Sequence, residues 1–288
     1  MNVSNIMTTD LSTVTPTASI DRAISLMEQE EIHHLCVVDA QKLVGIVSDR
    51  DILISTGWML AIERNGATKS GTNGRAVRKV SQIMSSRVDV LEETDDIREA
   101  ANLMVTHRVS AVPILSKTRL AGIVTDADLV RCLGDIAVEG NAAWKFLNAA
   151  VRTLMTAPVI TVVPSASLDE VIDVFKRFHI RHVPVATGKK LQGIISDRDV
   201  RRALGWSAAR DAQAEAQGRV TTSRIPEKAE EIMQTSVTTI TASATLGEAL
   251  QRMQSARIHS LPVVDDGALI GIITQTDFVN ALVQEQLT

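Results

Sequence analysis

The sequence predicts an α+β fold of four strand–helix–strand–strand–helix units, and three features lead there. The heptapeptide Gly193-Ile194-Ile195-Ser196-Asp197-Arg198-Asp199 recurs as GIVSDRD from Gly45, GIVTDAD from Gly122 and GIITQTD from Gly271. A methionine stands 38 residues before each glycine: Met7, Met84, Met155 and Met233. Between methionine and glycine, each copy carries one apolar stripe of helical period and two continuous apolar runs of strand length. Repeats of this kind set the whole architecture, so they govern every later reading.

In the first copy, Ser12-Thr13-Val14 with Pro16 reads as a short extended segment ending at a turn. Ile20, Ala23, Ile24 and Met27 then recur at i, i+3, i+4 and i+7, with Ser19 placed as N-cap. Leu35–Val38 and Leu43–Val47 are the two strand-length runs, and Asp39-Ala40-Gln41 suits a tight turn between them. Ser48-Asp49-Arg50-Asp51 opens a second helix.

The other copies read alike. Their helical stripes are Ile97/Ala100/Ala101/Met104, Leu168/Val171/Ile172/Phe175 and Leu246/Ala249/Leu250/Met253. Ser167 with Glu170, and Thr245 with Glu248, form capping boxes, in which hydroxyl and carboxylate satisfy two otherwise orphaned backbone donors. The strand pairs are Ala111–Leu115 with Leu120–Val124, His182–Ala186 with Leu191–Ile195, and Leu261–Val264 with Leu269–Ile273.

Spacing gives a second level of order. The glycine-to-glycine steps are 77, 71 and 78 residues, so the outer two match and the middle one differs. Copies 1 and 3 also share Asp-Arg-Asp and a following Gly-Trp, at Gly57-Trp58 and Gly205-Trp206. The chain therefore reads as a duplicated pair. Residues 1–148 hold repeats of about 1–60 and 78–135, and residues 149–288 hold repeats of about 149–210 and 227–288. The linker of about Thr56–Lys79 reads as partly loop, and that of about Ala203–Glu231 as a helix extension ahead of Ile225-Pro226.

Composition narrows the function. No apolar run reaches the ~18–20 residues of a membrane-spanning helix, and the N-terminal MNVSNIMTTD lacks a secretory pattern. Cys36 and Cys132 are too few and too isolated for a disulfide framework or thiolate metal site, which points to a reduced, cytoplasmic setting. A net charge of −4 and 2% aromatics argue against nucleic acid as a partner. The basic stretch Arg64, Lys69, Arg75, Arg78 and Lys79 lies in a Gly/Ser/Asn-rich linker and reads as solvated surface. HExxH, GxSxG and GxxxxGK[ST] are absent, and no recurring His stands as a base beside the Ser-x-x-Asp pairs, so the chain reads as non-enzymatic, without a catalytic cofactor or metal.

Together these residues carry a resemblance. Methionine, an extended segment with Pro, an amphipathic helix, a strand with Leu/Val-Pro-Val, and Gly-Ile-Val/Ile-Ser/Thr-x-x-Asp before a helix look like the CBS (cystathionine β-synthase) domain. The resemblance covers all four repeats. It implies two pseudo-two-fold Bateman modules with nothing else attached, pairing into a disc within one chain or as a homodimer. It further implies adenosine-containing ligands (AMP, ADP or ATP, with or without Mg²⁺, or S-adenosylmethionine) in clefts between paired repeats. In that family the motif Ser/Thr contacts the ribose or phosphate region, and the Asp holds the ribose hydroxyls.

Carried onto this chain, the pairs are Ser48/Asp51, Thr125/Asp128, Ser196/Asp199 and Thr274/Asp277. The chemistry suits them, since one carboxylate accepts from two adjacent hydroxyls and a helix N-terminus favours phosphate. Ser/Thr-x-x-Asp is equally a variant capping box, and the two roles are compatible. The resemblance also implies phosphate partners just before the Leu/Val-Pro strand: His33 and His34, Arg181 and His182, and His259 near Arg257. Repeat 2 has Arg108 but then Ser110-Ala111. Arg50 and Arg198 are further anion candidates, replaced by Ala127 and Thr276 in repeats 2 and 4, which predicts clefts of unequal affinity. Cys36 stands where the others have Pro113, Pro184 and Pro262. The reading is a nucleotide-sensing regulator of an unidentified protein; a ligand-free oligomerising scaffold is the alternative.

Overall fold

The computed structural model describes residues 1–52, 55, 78–203 and 226–284. Most of both predicted linkers (56–77 and 204–225), the basic stretch up to Arg75 and the two Gly-Trp pairs lie outside the described residues.

The continuous apolar runs pair as four antiparallel hairpins. They are β2 (His34–Asp39) with β3 (Lys42–Ser48), β5 (Ala111–Ser116) with β6 (Arg119–Thr125), β7 (His182–Thr187) with β8 (Lys190–Ser196), and β9 (Ser260–Asp265) with β10 (Ala268–Thr274). Each strand of the later hairpins extends a residue or two past its apolar run, because polar ends still complete the ladder. The first turn is the two residues Ala40 and Gln41, both at positive φ (45° and 66°), the geometry whose twist matches the flanking strands. Every hairpin carries the same bulge: Gly45, Gly122, Gly193 and Gly271 pair across their strands, and the residue before each is left out of register.

The expected leading strands are short. β1 (Thr13–Val14) runs parallel to Cys36–Val37, and β4 (Leu91–Glu92) parallel to Ile114–Leu115. In repeats 3 and 4 the strand shrinks to single bridges, Val162 to Val185 and Ile240 to Val263. The neighbouring position is Pro113, Pro184 or Pro262 in three repeats, which have no N–H to give the leading strand, although Pro184 O and Pro262 O still accept from Val162 N and Ile240 N (both 3.1 Å). In repeat 1 the ladder does reach that position, at Cys36.

The helices follow their stripes. Ile20–Gln29 is capped by Ser19 accepting from Arg22 N at 3.1 Å. Ile97–His107 is capped by Asp96, and Leu168–Phe178 and Leu246–Ala256 carry both predicted capping boxes. The second helices begin at 49, Asp126, 197 and Gln275.

The repeats are not closed units, which spacing alone did not reveal. Val3 N donates to Asp95 O (2.8 Å) and Val80 N to Ala18 O (2.9 Å), so repeats 1 and 2 exchange their leading segments. Val151 N donates to Ala244 O and Ala229 N to Ala166 O (both 2.8 Å), the same exchange between repeats 3 and 4. The methionines cross with them. A Cβ placed on Gly122 would lie 2.6 Å from Met7 Sδ, one on Gly45 2.8 Å from Met84, one on Gly193 2.7 Å from Met233, and one on Gly271 2.8 Å from Met155. The 38-residue period thus sets positions in sequence, while each methionine seats on the other repeat's glycine, where a side chain would collide.

The two halves meet in two different ways. Repeats 2 and 4 share one continuous core: Leu129, Leu133, Leu250, Phe278 and Leu282 all belong to it. Repeats 1 and 3 keep separate cores, centred on Leu35, Val37 and Val47 and on Val183, Val185 and Ile195. Polar groups link them instead.

Candidate functional site

All four motifs start helices in a similar way. Ser48 N and Oγ donate to Asp51 Oδ2 (2.8 and 2.6 Å), and Ser48 Oγ accepts from Asp51 N (3.2 Å). Thr125 repeats this with Asp128 (2.9, 2.7 and 3.4 Å), and Ser196 with Asp199 (2.8, 2.5 and 3.3 Å). Thr274 N and Oγ1 donate to Asp277 Oδ2 at 2.7 and 2.8 Å. The reciprocal cap is therefore present at three copies and its carboxylate half at the fourth, and each uses one carboxylate oxygen.

The second oxygen separates the copies. Asp128 Oδ1 is paired with Arg131 (2.6 Å), and Asp199 Oδ1 accepts from Gln234 Nε2 (3.2 Å). The Thr156 hydroxyl reaches Asp277. Asp51 Oδ1 has no hydrogen-bond or ion-pair partner among the described residues. Burial raises the Asp277 carboxyl against the pull of the Thr274 and Thr156 bonds.

The residues ahead of the second strands converge on the middle of the molecule. His33 Nε2 contacts Arg198 Nη2 at 2.5 Å, and a guanidinium can only donate, so the ring proton lies on Nδ1 and points at Asp49 Oδ2, 2.6 Å away. Arg201 reaches the same Asp49 oxygen at 2.9 Å. His34 Nε2 bonds Ser110 Oγ at 2.9 Å, and Arg181 donates to that hydroxyl from the other side. Arg181 also lies 4.0 Å from Asp126. The His259 ring stands edge-on to His33 (5.6 Å between centroids) and tilted to His182 (6.4 Å).

The electrostatics of this cluster follow from burial. It holds His34 and His182 down at about 3 and His259 at about 4, with Arg181 adding repulsion to each, so the three rings are neutral near pH 7. Burial would raise Asp49, but the His33 hydrogen bond and the Arg201 charge hold it well below the usual carboxylate range. Burial raises Asp126 against Arg181, and raises Asp197 with help from the Asp49 charge. Arg50 is lowered by burial and by Arg181.

Of the sequence-predicted residues, His33, His34, Arg50, Arg181, His182, Arg198 and His259 share this central field. Ser48/Asp51, Thr125/Asp128, Ser196/Asp199 and Thr274/Asp277 lie at the four surrounding helix starts. Arg108 and Arg257 do not join it; both are helix C-caps at φ 55° and 53°. Sequence reasoning missed Asp49, Asp126, Asp197 and Arg201. The available signal was an Asp directly after the motif Ser/Thr in three copies, with Gln275 in the fourth, a charge that the cap does not need. Ser110, read as a gap in repeat 2, is a bridge between His34 and Arg181. Cys36 packs with Ala111 and Ile123 in the apolar seam between repeats 1 and 2. Among the described residues no group of three or more His, Cys, Asp and Glu could hold a metal, and no helix is long and apolar enough to cross a membrane.

Four linked repeats of this form, each with a capped Gly-Ile-x-Ser/Thr-x-x-Asp turn, define a class. The CBS domain model matches residues 3–55, 80–135, 151–205 and 229–284, and the chain belongs to the CBS domain family. It is 30% identical over 273 residues to the uncharacterized protein MJ1225 of Methanocaldococcus jannaschii, covering 92% of each. The crystal structure of that protein matches with a TM-score of 0.78 at 28% identity, over 98% of this chain and 100% of the other. An uncharacterized conserved protein from Pyrococcus horikoshii matches at 24% identity and a TM-score of 0.62, over 98% and 100%, and shares the fold.

Proposed function

We propose that this chain is a regulatory binding protein that senses an adenosine-containing nucleotide and passes its state to a partner protein. One observation carries the reading: Arg198, Arg201 and Arg181, from one half of the chain, reach into the other half beside four capped aspartates. Arg201 adds a buried Nε without a hydrogen-bond partner among the described residues. Guanidinium groups pair bidentately with phosphate, and a carboxylate can accept from both hydroxyls of a ribose diol. The resemblance in sequence pattern and the relation to MJ1225, put forward as an archaeal homolog of g-AMPK, agree with this.

In this reading residues 1–148 and 149–288 are the two modules. Ser48, Asp51, Thr125, Asp128, Ser196, Asp199, Thr274 and Asp277 serve the ribose ends, and Arg50, Arg181, Arg198 and the histidines serve the phosphates. The ligand is AMP, ADP or ATP, with or without Mg²⁺, or S-adenosylmethionine. The protein is a cytoplasmic non-enzyme that self-associates through its disc faces. A phosphate would compete for Arg198 and Arg201 with His33 and Asp49, and so shift the relation of the halves by its differential affinity.

A second reading has one observation in its favour. The four Ser/Thr–Asp pairs close on themselves as caps, which suits a scaffold with empty clefts. A thermal-shift screen of nucleotide-free protein against AMP, ADP, ATP, S-adenosylmethionine, NADH and cyclic di-AMP decides between them, since a ligand of the folded state raises Tm with concentration. A saturable shift supports the sensor; no shift with any of them supports the scaffold.

A further inference from the structure

One backbone position recurs beside all four motif glycines and carries different side chains. The residue after each crossing methionine exchanges two backbone hydrogen bonds with the isoleucine after the other repeat's motif glycine. Thr8 pairs with Ile123 (2.9 and 3.0 Å), Ser85 with Ile46 (2.9 and 3.0 Å), Thr156 with Ile272 (2.8 and 3.1 Å) and Gln234 with Ile194 (2.9 and 3.0 Å). The register is the same each time, so at this position only the side chain differs. Three are short hydroxyls. The fourth is a long amide, and it reaches Asp199 Oδ1 at 3.2 Å. Asp199 Oδ2 already accepts from Ser196 N and Oγ. Both oxygens of this carboxylate are therefore taken by the protein itself, whereas Asp51 has one left over among the described residues.

We propose that Gln234 is a specificity-determining residue of the third cleft, an amide that occupies the Asp199 oxygen a ribose diol would need, so that this cleft takes a nucleotide more weakly than the one at Asp51. The inference rests on the nucleotide reading above and deepens it. The ligand group concerned is a vicinal diol, which a carboxylate binds through two acceptor oxygens. A diol entering beside Asp199 must first release the amide. Gln234 is exposed and its backbone bonds are independent of its side chain, so shortening it removes the competitor and leaves the fold as it is.

The test is calorimetric titration of the nucleotide-stripped full chain with AMP and with 2′-deoxy-AMP. The proteins are wild type, Gln234→Ala, Gln234→Val, Asp199→Asn, Gln234→Ala/Asp199→Asn and Asp51→Asn, each checked by its Tm. In Gln234→Ala and Gln234→Val the weakest class of AMP sites tightens by about five- to ten-fold, the size of one net hydrogen bond. The gain is smaller with 2′-deoxy-AMP and disappears in the double variant. Unchanged or weaker AMP binding in both Gln234 variants, while Asp51→Asn still loses affinity, overturns this inference alone. Absence of AMP binding in every protein overturns the nucleotide reading and this inference with it.

Discussion

His33 and Arg198 lie 165 residues apart in the chain, yet the guanidinium donates to the imidazole at 2.5 Å across the junction of the two halves. The same imidazole donates to Asp49, which also holds Arg201 at 2.9 Å. Cationic groups suited to a phosphate are thus already engaged across the junction, so a phosphate-bearing ligand would compete with the contact between the halves.

Arg198→Ala should therefore act twice. It removes a cation from the centre and leaves His33 Nε2 without its donor. AMP affinity should fall at least ten-fold, from the loss of a charged hydrogen bond of about 1.5–3 kcal/mol. The unliganded protein should lose about 1 kcal/mol in urea unfolding. Unchanged AMP affinity with lowered stability would reduce Arg198 to a structural tie.

Asp51→Asn should weaken AMP more than Asp128→Asn does. Asn keeps an acceptor for the cap, so both helices should survive. Asp51 Oδ1 has no partner among the described residues, whereas Arg131 already holds Asp128 Oδ1. Equal losses in the two variants, measured by calorimetry, would show that Arg131 yields freely.

Acid should destabilise the fold before any carboxylate titrates in the unfolded chain. His34 and His182 are held at about 3 and His259 at about 4, against 6.5 for a free ring. From about pH 6.5 downwards the unfolded chain takes up protons that the folded one refuses, so stability falls as pH falls, by up to about 1.4 kcal/mol per pH unit per proton. Asp49, held low, extends the loss further down, while the raised Asp126 and Asp197 oppose it. The urea midpoint should drop between pH 7 and 5, and His182→Asn should flatten the slope. A flat midpoint in the wild type would mean that the buried rings accept protons freely.

Gly122→Ala should destabilise the first pair by about 1–3 kcal/mol through overpacking. The new Cβ would lie 2.6 Å from Met7 Sδ and 3.0 Å from Thr8 O. Adding Met7→Ala should recover only part of this, because the backbone oxygen stays. Full tolerance of Gly122→Ala in urea melts would place the two repeats further apart than they stand.

Cys36 should resist thiol reagents in the folded protein. Burial pushes its thiol up to about 12 and the side chain is 2% exposed. Labelling at pH 8 that is as fast as in urea would contradict this.

The fold was legible because its signals are local. The stripe from Ile20 to Met27, the apolar run at Leu35–Val38 and the Ser48-x-x-Asp51 cap each depend on neighbours within a few residues, and all appear where the sequence put them. The four motif pairs, and the histidines and arginines ahead of the strands, were readable as a repeating pattern.

What the pattern could not carry was which repeat completes which. Met7 and Gly122 are bound by a close approach between chain segments more than a hundred residues apart, and no periodicity encodes it. The same holds for Asp49, Ser110 and Arg201: as single polar residues they look like surface or cap, and only the meeting of the two halves makes them bridges. By itself the sequence determined four copies of one unit, their helices, strands and caps, because those are short-range matters of period and hydrogen-bond demand. Tertiary structure alone decided the exchange of leading segments, the apolar junction of repeats 2 and 4, and the charged junction of repeats 1 and 3. Those depend on burial and charge brought together by folding, which a linear spacing does not record.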